Sequence, residues 1–263
     1  MRRHVLNALS ALAAVTALAV SGCSSSASQP AGAAAPTSTP SASTGTTPST
    51  PSTPSASPSI DAVCLHGVPG AEKNVTHFAG GNDHVVEAYT IGTGPVGVVL
   101  AHQVESTLCE WSDIWTDFPA KDYTVMAITM GGGIDTDVAK AVEQLRARGL
   151  KKIVLVGASM GGSAVLAAAG KITPQVQGVV SLSAPASYGV ADAISAVKTF
   201  HVPVSYFAGG GDARFAADAQ RMYDATTEQD KALKILADSQ SHGVELWPQV
   251  RDDVFAFITK HTQ

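Results

Sequence analysis

The sequence predicts an α/β fold: a mainly parallel, doubly wound sheet in three layers, with helices on both faces. Three observations carry this prediction. Short apolar runs alternate with helix-length amphipathic segments between residues 85 and 260. Some runs, such as Val96–Ala101, are apolar throughout, as expected of strands buried on both faces. The run Ile153–Val156 leads through Gly157-Ala158-Ser159-Met160-Gly161 into a segment of small residues, which places a glycine-flanked serine in a strand-to-helix turn.

The elements follow one another with short connections. We predict strands at 85–91, 96–101, 123–129, 153–156, 179–182, 204–207 and 233–236, the first of them antiparallel. We predict helices at 135–148, from the serine turn through 169, and at 190–197, 216–226 and 248–260. The connection between residues 182 and 203 is too short for a large cap domain, so an open site is expected.

The first 60 residues are expected to lie outside the folded domain, which we place at 61–263. Residues 1–22 resemble a bacterial lipoprotein signal peptide, because Arg2 and Arg3 precede an apolar run that is too short for a confident membrane span. That run ends in Leu18-Ala19-Val20-Ser21-Gly22-Cys23, which resembles a lipobox. The resemblance implies lipidation of Cys23 and an extracytoplasmic domain anchored to the cell membrane. An ordinary signal peptide that is cut nearby is the alternative.

Residues 23–60 are interpreted as the lipidated cysteine and a disordered tether. After Cys23 the segment is almost entirely Ser, Thr, Pro, Ala and Gly, without charged or aromatic residues. Such a segment buries too little apolar surface to offset its conformational entropy. Its composition also permits O-glycosylation.

The charge of the chain limits its possible partners, and its cysteine content bears on disulfide formation. The formal charge is −5 for the chain and −7 without Arg2 and Arg3, and no basic stripe is present, which argues against nucleic acid as a partner. In an oxidising compartment, Cys64 and Cys109 form an even pair, for which we predict a disulfide. Two buried free thiols are the alternative. Neither cysteine lies in a metal-ligand pattern, and we expect no metal or cofactor.

Three polar residues follow predicted strands at the edge where parallel sheets place their sites. Ser159 follows Ile153–Val156. Asp212 follows 204–207 after three glycines, and His242 comes after 233–236. A serine hydroxyl needs a base to take its proton and a third group to orient that base. The chain supplies all three, although Asp212 as a turn aspartate and His242 as a loop histidine are the structural alternatives.

The order Ser, Asp, His on this pattern resembles the serine α/β-hydrolases over roughly residues 85–260. The resemblance implies that Ser159 is the nucleophile, that His242 is the general base and later the acid, and that Asp212 orients the histidine. It also implies an oxyanion hole formed by the N–H of Met160 and an N–H from the loop His102-Gln103-Val104, which we assign to Gln103. His102 is interpreted as a structural residue beneath the site.

Two segments depart from the family pattern. The chain has His102-Gln103 where relatives commonly have His-Gly, and Met130-Gly131-Gly132-Gly133 where many have Asp-x-Arg-Gly, so the usual polar anchor of that loop is expected to be missing. Four side chains are candidates for an acyl or alcohol pocket, with the hydrophobic core as the alternative: Leu108, Trp111, Tyr188 and Phe215.

The sequence thus predicts a serine hydrolase that cleaves an ester-type acyl bond through an acyl-enzyme. The expected substrate is a small or lipid-like acyl compound. An acyltransferase on the same residues, or a binding lipoprotein that keeps the fold without catalysis, are the alternatives. Neither the particular substrate nor the oligomeric state follows from the sequence.

Overall fold

A computed structural model describes residues 59–263. The predicted signal peptide, Cys23 and nearly all of the predicted tether lie outside the described residues. Among the helices of residues 59–263, none is both long and apolar enough to cross a bilayer.

A single eight-stranded sheet forms the centre of the domain. Its strands are β1 (Val75–Ala79), β2 (Val85–Ile91), β3 (Val96–Ala101), β4 (Tyr123–Thr129), β5 (Lys152–Ala158), β6 (Gly178–Leu182), β7 (Val204–Gly209) and β8 (Lys231–Leu236). Their spatial order is β1-β2-β4-β3-β5-β6-β7-β8. β2 pairs antiparallel with both β1 and β4, and β3 to β8 are all parallel to one another. The predicted doubly wound sheet is confirmed.

Helices cover both faces of this sheet, as predicted. They are α1 (Ile134–Ala147), α2 (Met160–Ala169), α3 (Ala193–Ala196), α4 (Ala213–Ala225) and α5 (Trp247–Thr262). Buried residues of α1 to α4 pack into one hydrophobic core. α5 and a series of 3₁₀ turns within residues 108–121 enclose a second core on the opposite face. The sheet between two cores explains why β3 is buried at every position.

The connection between β6 and β7 carries no cap domain. Residues 183–203 contain one helix, the four-residue α3. This helix is shorter than the predicted 190–197, and it begins only at Ala193, where the Asp192 side chain caps it by accepting a hydrogen bond from Ser195 N at 3.1 Å. An antiparallel bridge between Tyr188 and Ala191 precedes it. The prediction that this connection holds no large cap domain is confirmed.

The sheet begins one strand earlier than the sequence predicts. β1 pairs with β2 from Val75 opposite Tyr89 to Ala79 opposite Val85. The β1 sequence, Val-Thr-His-Phe-Ala, is partly polar because an edge strand is only partly buried, and four of its five residues are intermediate or exposed. An apolar run therefore does not mark it.

The predicted disulfide between Cys64 and Cys109 is present, with a Cα–Cα distance of 5.5 Å. It joins the 3₁₀ turn at Val63–Leu65 to the 3₁₀ turn at Leu108–Trp111. The first residues of the domain are also held by Glu87 of β2, whose carboxylate accepts hydrogen bonds from the backbone N–H groups of Asp61 and Ala62. The disulfide thus fixes the loop after β3 to the start of the domain.

The loop after β4 has a polar anchor that the sequence analysis missed. Asp137 of α1 is fully buried and accepts hydrogen bonds from Gly81 N and Gly131 N, each at 2.8 Å. A Cβ on Gly133 would lie 2.6 Å from Gly81 Cα, so the two turns pack backbone against backbone. The usual anchor of the family is missing from this loop, as expected, and a carboxylate from the following helix takes its place.

Candidate active site

Ser159 lies in a strained turn between β5 and α2. Its backbone has φ 48° and ψ −115°, a combination that costs of order 1–3 kcal/mol and persists only when surrounding packing enforces it. The flanking glycines allow the turn to close. A Cβ on Gly157 would overlap the carbonyl of Gly161, and a Cβ on Gly161 would overlap the carbonyl of Ala101. The close approach brings the start of α2 against the carboxyl end of β3.

Substitution of Gly161 by alanine is expected to destabilise the domain by about 2 kcal/mol, the usual range for overpacking a core. The added methyl would overlap Ala101 O and lie 2.6 Å from His102 O, and backbone atoms cannot rotate away. Urea unfolding of residues 59–263 measures the loss. Gly170→Ala is the matched control, because its Cβ would meet its nearest neighbours at an ordinary 3.8 Å. Equal stability of the two variants would contradict this account.

Asp212 and His242 are joined by a hydrogen bond. His242 Nδ1 and Asp212 Oδ2 lie 2.6 Å apart, with side chains that are 30% and 17% exposed. Asp212 lies at the N-cap position of α4, just after β7, but its side chain bonds to His242 and not to the helix, and His242 lies between β8 and α5. A carboxylate only accepts hydrogen bonds, so Nδ1 carries the proton and Nε2 is left as the basic nitrogen. The ring of Phe215 lies 4.3 Å from the imidazole, centroid to centroid, and supports it.

The structure brings Ser159 to the same sheet edge as this pair. Ser159 directly follows β5, and Asp212 lies three residues beyond the end of β7. The 3₁₀ turn Gly243–Leu246, which begins directly after His242, packs against β5, β6 and β7. Ser159 is 6% exposed, and its hydroxyl has no hydrogen-bond partner among residues 59–263. A hydrogen bond between a nucleophilic hydroxyl and its base is often long before substrate binds and tightens in the Michaelis complex.

One of the two N–H groups that the sequence predicts for an oxyanion hole is engaged elsewhere in the structure. Met160 N, the first amide of α2, has no acceptor among the described residues, in keeping with its assignment. Gln103 N donates instead to Glu110 Oε2 at 2.6 Å, so the assignment of Gln103 as the second donor is wrong. The next amide of the same loop, Val104 N, has no acceptor in the described part of the chain, and Val104 is 44% exposed.

His102 is a structural residue beneath this loop, as predicted. It is 2% exposed, its Nδ1 lies 2.5 Å from Gln103 O, and its Nε2 accepts a hydrogen bond from Met130 N at 2.9 Å. Burial lowers the pKa of His102, which favours the neutral ring with its proton on Nδ1. The histidine therefore holds the carbonyl of Gln103 and the loop after β4 at the same time.

Glu110 is a partly buried acid that sequence analysis missed. Its carboxylate accepts hydrogen bonds from both nitrogens of Gln103, and burial raises the pKa of Glu110. His242 is close enough to partly offset this rise by electrostatic attraction. The only signal in the sequence was the position of Glu110 beside Cys109. Its contact with Gln103 depends on the fold of a loop that no periodicity describes.

Two of the four pocket candidates belong to the core. Leu108 and Trp111 are both 0% exposed and pack into the core beneath α5, so the assignment of either residue to a substrate pocket is wrong. Both residues belong to the 3₁₀ turn Leu108–Trp111, and their side chains point into the core that this turn covers. Tyr188 is 37% exposed in the loop after β6, and Phe215 contacts His242. These two side chains stay candidates for contact with a substrate.

A group of potential metal ligands lies on the two outer strands. One ligand atom each from Asp61, His77 and Glu87 lies within 4.8 Å of the others. Carboxylate and imidazole groups suit a divalent cation such as zinc. Here Glu87 Oε1 already accepts the two backbone hydrogen bonds of Asp61 and Ala62, which gives it a structural role at the start of the domain.

The chain matches a family model described as alpha/beta hydrolase fold over residues 110–250. Its structure is similar to a monoacylglycerol lipase of Paleococcus ferrophilus, with 13% identity and a TM-score of 0.57, covering 67% of this chain and 99% of that one. It is also similar to an esterase of Pyrococcus furiosus, with 14% identity and a TM-score of 0.62, covering 72% and 92%.

A third similar structure is the esterase domain of a Rhodothermus marinus protein, with 18% identity and a TM-score of 0.54, covering 71% of this chain and 95% of that one. No curated protein matches the sequence significantly. At these identities, the solved structures establish the fold. The family model spans more than half of the 263 residues and includes Ser159, Asp212 and His242. The chain belongs to the alpha/beta hydrolase fold family.

Proposed function

We propose that this protein is a serine hydrolase that cleaves an ester-type acyl bond through Ser159, His242 and Asp212. The observation that carries the proposal is the 2.6 Å hydrogen bond between Asp212 and His242 at the sheet edge where Ser159 occupies its strained turn. The solved structures described above include a lipase and two esterases, which supports an ester as the substrate class.

In the proposed reaction, His242 Nε2 takes the proton of Ser159 as its oxygen attacks the acyl carbon. Asp212 holds the imidazole by Nδ1–H and stabilises the imidazolium that forms. His242 then gives the proton to the leaving alcohol, and an acyl-enzyme results. Water enters by the same steps and releases the acid.

The tetrahedral intermediate carries a negative oxygen that needs N–H donors. We assign Met160 N and Val104 N to this role, because both amides belong to the segments that meet at Gly161 and both lack an acceptor among residues 59–263. Removing one oxyanion donor typically costs 10²–10³ in turnover in hydrolases of this type. Backbone donors depend on loop geometry rather than on side-chain identity, which accommodates the departure from His-Gly at residues 102–103.

A fluorophosphonate probe tests the proposal directly. It reacts with serine residues that a neighbouring base activates, so we expect one covalent adduct on residues 59–263. Peptide mass spectrometry should place the adduct on Ser159, with hydrolysis of short-chain p-nitrophenyl esters lost in parallel. An unlabelled wild-type domain that is correctly folded would favour a binding protein over an enzyme and would overturn the proposal.

We further propose that the domain is exported and anchored by a lipid on Cys23. The lipobox-like sequence supports this, and so does the Cys64–Cys109 disulfide, since structural disulfides form mainly in oxidising compartments. A bacterial host that expresses the full chain should incorporate a palmitate analogue into it and retain it in the membrane fraction. Cys23→Ala should abolish both, whereas incorporation that survives the substitution would contradict the anchor.

A further inference from the structure

We propose that Glu110 and Gln103 form a positioning pair that ties the loop after β3 to the turn that carries His242. The inference rests on the proposed hydrolase function and adds two residues that act through the catalytic groups rather than on the substrate. Glu110 holds Gln103, and Gln103 holds the backbone next to His242. Sequence resemblance assigns no role to Glu110.

The contact between the two side chains is bidentate. Gln103 N lies 2.6 Å from Glu110 Oε2, and Gln103 Nε2 lies 2.5 Å from Glu110 Oε1. Each carboxylate oxygen therefore accepts one hydrogen bond from the same residue. Hydrogen bonds to an ionised acceptor are shorter and stronger than neutral ones, and two in parallel fix orientation as well as distance.

The other end of the Gln103 side chain reaches the histidine turn. Gln103 Oε1 accepts a hydrogen bond from Val244 N at 3.3 Å, two residues after His242. A Cβ on Gly243 would overlap the same oxygen, and Gly243 has φ 55°. The turn therefore packs its backbone directly on the amide of Gln103. The single side chain connects a loop of β3 with a segment about 140 residues later.

The pair also sets the direction of an amide that we assign to the oxyanion. The carbonyl of Gln103 and the N–H of Val104 belong to one planar trans peptide, so they point in opposite directions. His102 Nδ1 holds that carbonyl, while Glu110 holds Gln103 N. With both sides of Gln103 fixed, Val104 N has little freedom to turn, which is the preorganisation that an oxyanion donor needs.

Glu110 itself is held in place by the disulfide. It lies in the 3₁₀ turn Leu108–Trp111, next to Cys109, which is bonded to Cys64. Trp111 on its other side is fully buried, and Thr107 Oγ1 accepts a hydrogen bond from Cys109 N at 3.2 Å. The disulfide therefore stabilises the position of a carboxylate that in turn positions the site.

Kinetic analysis of Glu110→Gln, Gln103→Ala and the double variant tests the pair. Gln103→Ala keeps the backbone N–H and removes the link to Val244. Each single variant is expected to lower kcat about tenfold with KM changed less than twofold, since both residues are proposed to act through the catalytic groups. The double variant should lose no more than the worse single variant, because both substitutions break one connection. Glu105→Gln is the matched control, an exposed acid of the same loop.

A pH profile separates positioning from general damage to the fold. Three carboxylates face His242: Asp212, Glu110 and Glu245. The Glu245 carboxylate accepts a hydrogen bond from the His242 backbone N–H at 3.4 Å. The Phe215 ring also faces His242, and Arg214 lies over that ring. Glu110→Gln removes the electrostatic attraction between Glu110 and His242, so the acid limb of kcat/KM should move to lower pH. Glu105→Gln should leave the acid limb in place.

Hydrogen exchange followed by mass spectrometry provides a readout that does not need activity. In Gln103→Ala, amides of residues 242–246 should exchange at least tenfold faster than in the wild type, while α2 stays protected. Unchanged exchange there, or kcat losses that multiply in the double variant, would overturn the pair. If the wild-type domain does not react with the fluorophosphonate, the proposed function fails, and the exchange result still decides whether Gln103 holds the turn.

Discussion

Replacing Ser159 with alanine is expected to reduce kcat for a p-nitrophenyl ester by about six orders of magnitude, the loss seen when a triad nucleophile is removed. The substitution removes the proposed attacking oxygen, which the sharp turn that Gly157 and Gly161 permit presents at the sheet edge. Steady-state hydrolysis by residues 59–263, with enzyme at micromolar concentration, measures the residual rate. Binding of ester should persist, so that KM changes far less than kcat.

The matched control for this prediction is Ser195→Ala, an exposed serine of α3. Thermal unfolding should show both variants folded, since alanine at residue 159 keeps the same backbone strain as serine. A Ser159→Ala protein that keeps more than a hundredth of the wild-type kcat would show that the ester is cleaved elsewhere.

Replacing Asp212 with asparagine is expected to lower kcat by about 10⁴. The amide can present its NH₂ group to His242 Nδ1, which then becomes an acceptor and leaves the proton on Nε2, where the base is needed. The 2.6 Å contact between Nδ1 and Oδ2 makes this tautomer effect large. The variant should keep its stability, because asparagine is nearly isosteric with aspartate and Asp212 makes no side-chain hydrogen bond to the start of α4.

Asp238→Asn controls for the loss of one negative charge near the same loop, since Asp238 is exposed and precedes His242 by four residues. It should retain near wild-type activity. If Asp238→Asn proved the more damaging of the two variants, the orienting acid would have to be reassigned.

Much of the fold was accessible from the sequence because its signals are local and strongly apolar. β3 and α2 are buried at every position, and β5 is buried at every position after Lys152, so their residues are almost uniformly hydrophobic or small. The serine turn is also a local signal. Only glycine avoids a backbone overlap at residues 157 and 161, the two ends of that turn. The order Ser, Asp, His along the chain, each after a strand, then indicated Asp212 and His242 as the partners of Ser159.

The remainder depends on contacts that sequence order does not reveal. β1 is a partly polar edge strand, so no apolar run marks it. The engagement of Gln103 N by Glu110 arises from 3₁₀ turns, whose side-chain directions follow from tertiary packing. The sequence does not separate pocket from core for Leu108 and Trp111, because large apolar side chains near a site suit either role and only burial distinguishes them.

The short connection between β6 and β7 has a kinetic consequence. Where a lid must open and close in each cycle, motions on the microsecond to millisecond timescale often limit turnover. Here residues 183–203 hold a four-residue helix, which is fixed to the loop before it by a 2.8 Å hydrogen bond from Ile194 N to Ala186 O. For the proposed hydrolase, we therefore expect turnover to be limited by acyl transfer or by diffusion of substrate and product, and not by opening of this segment.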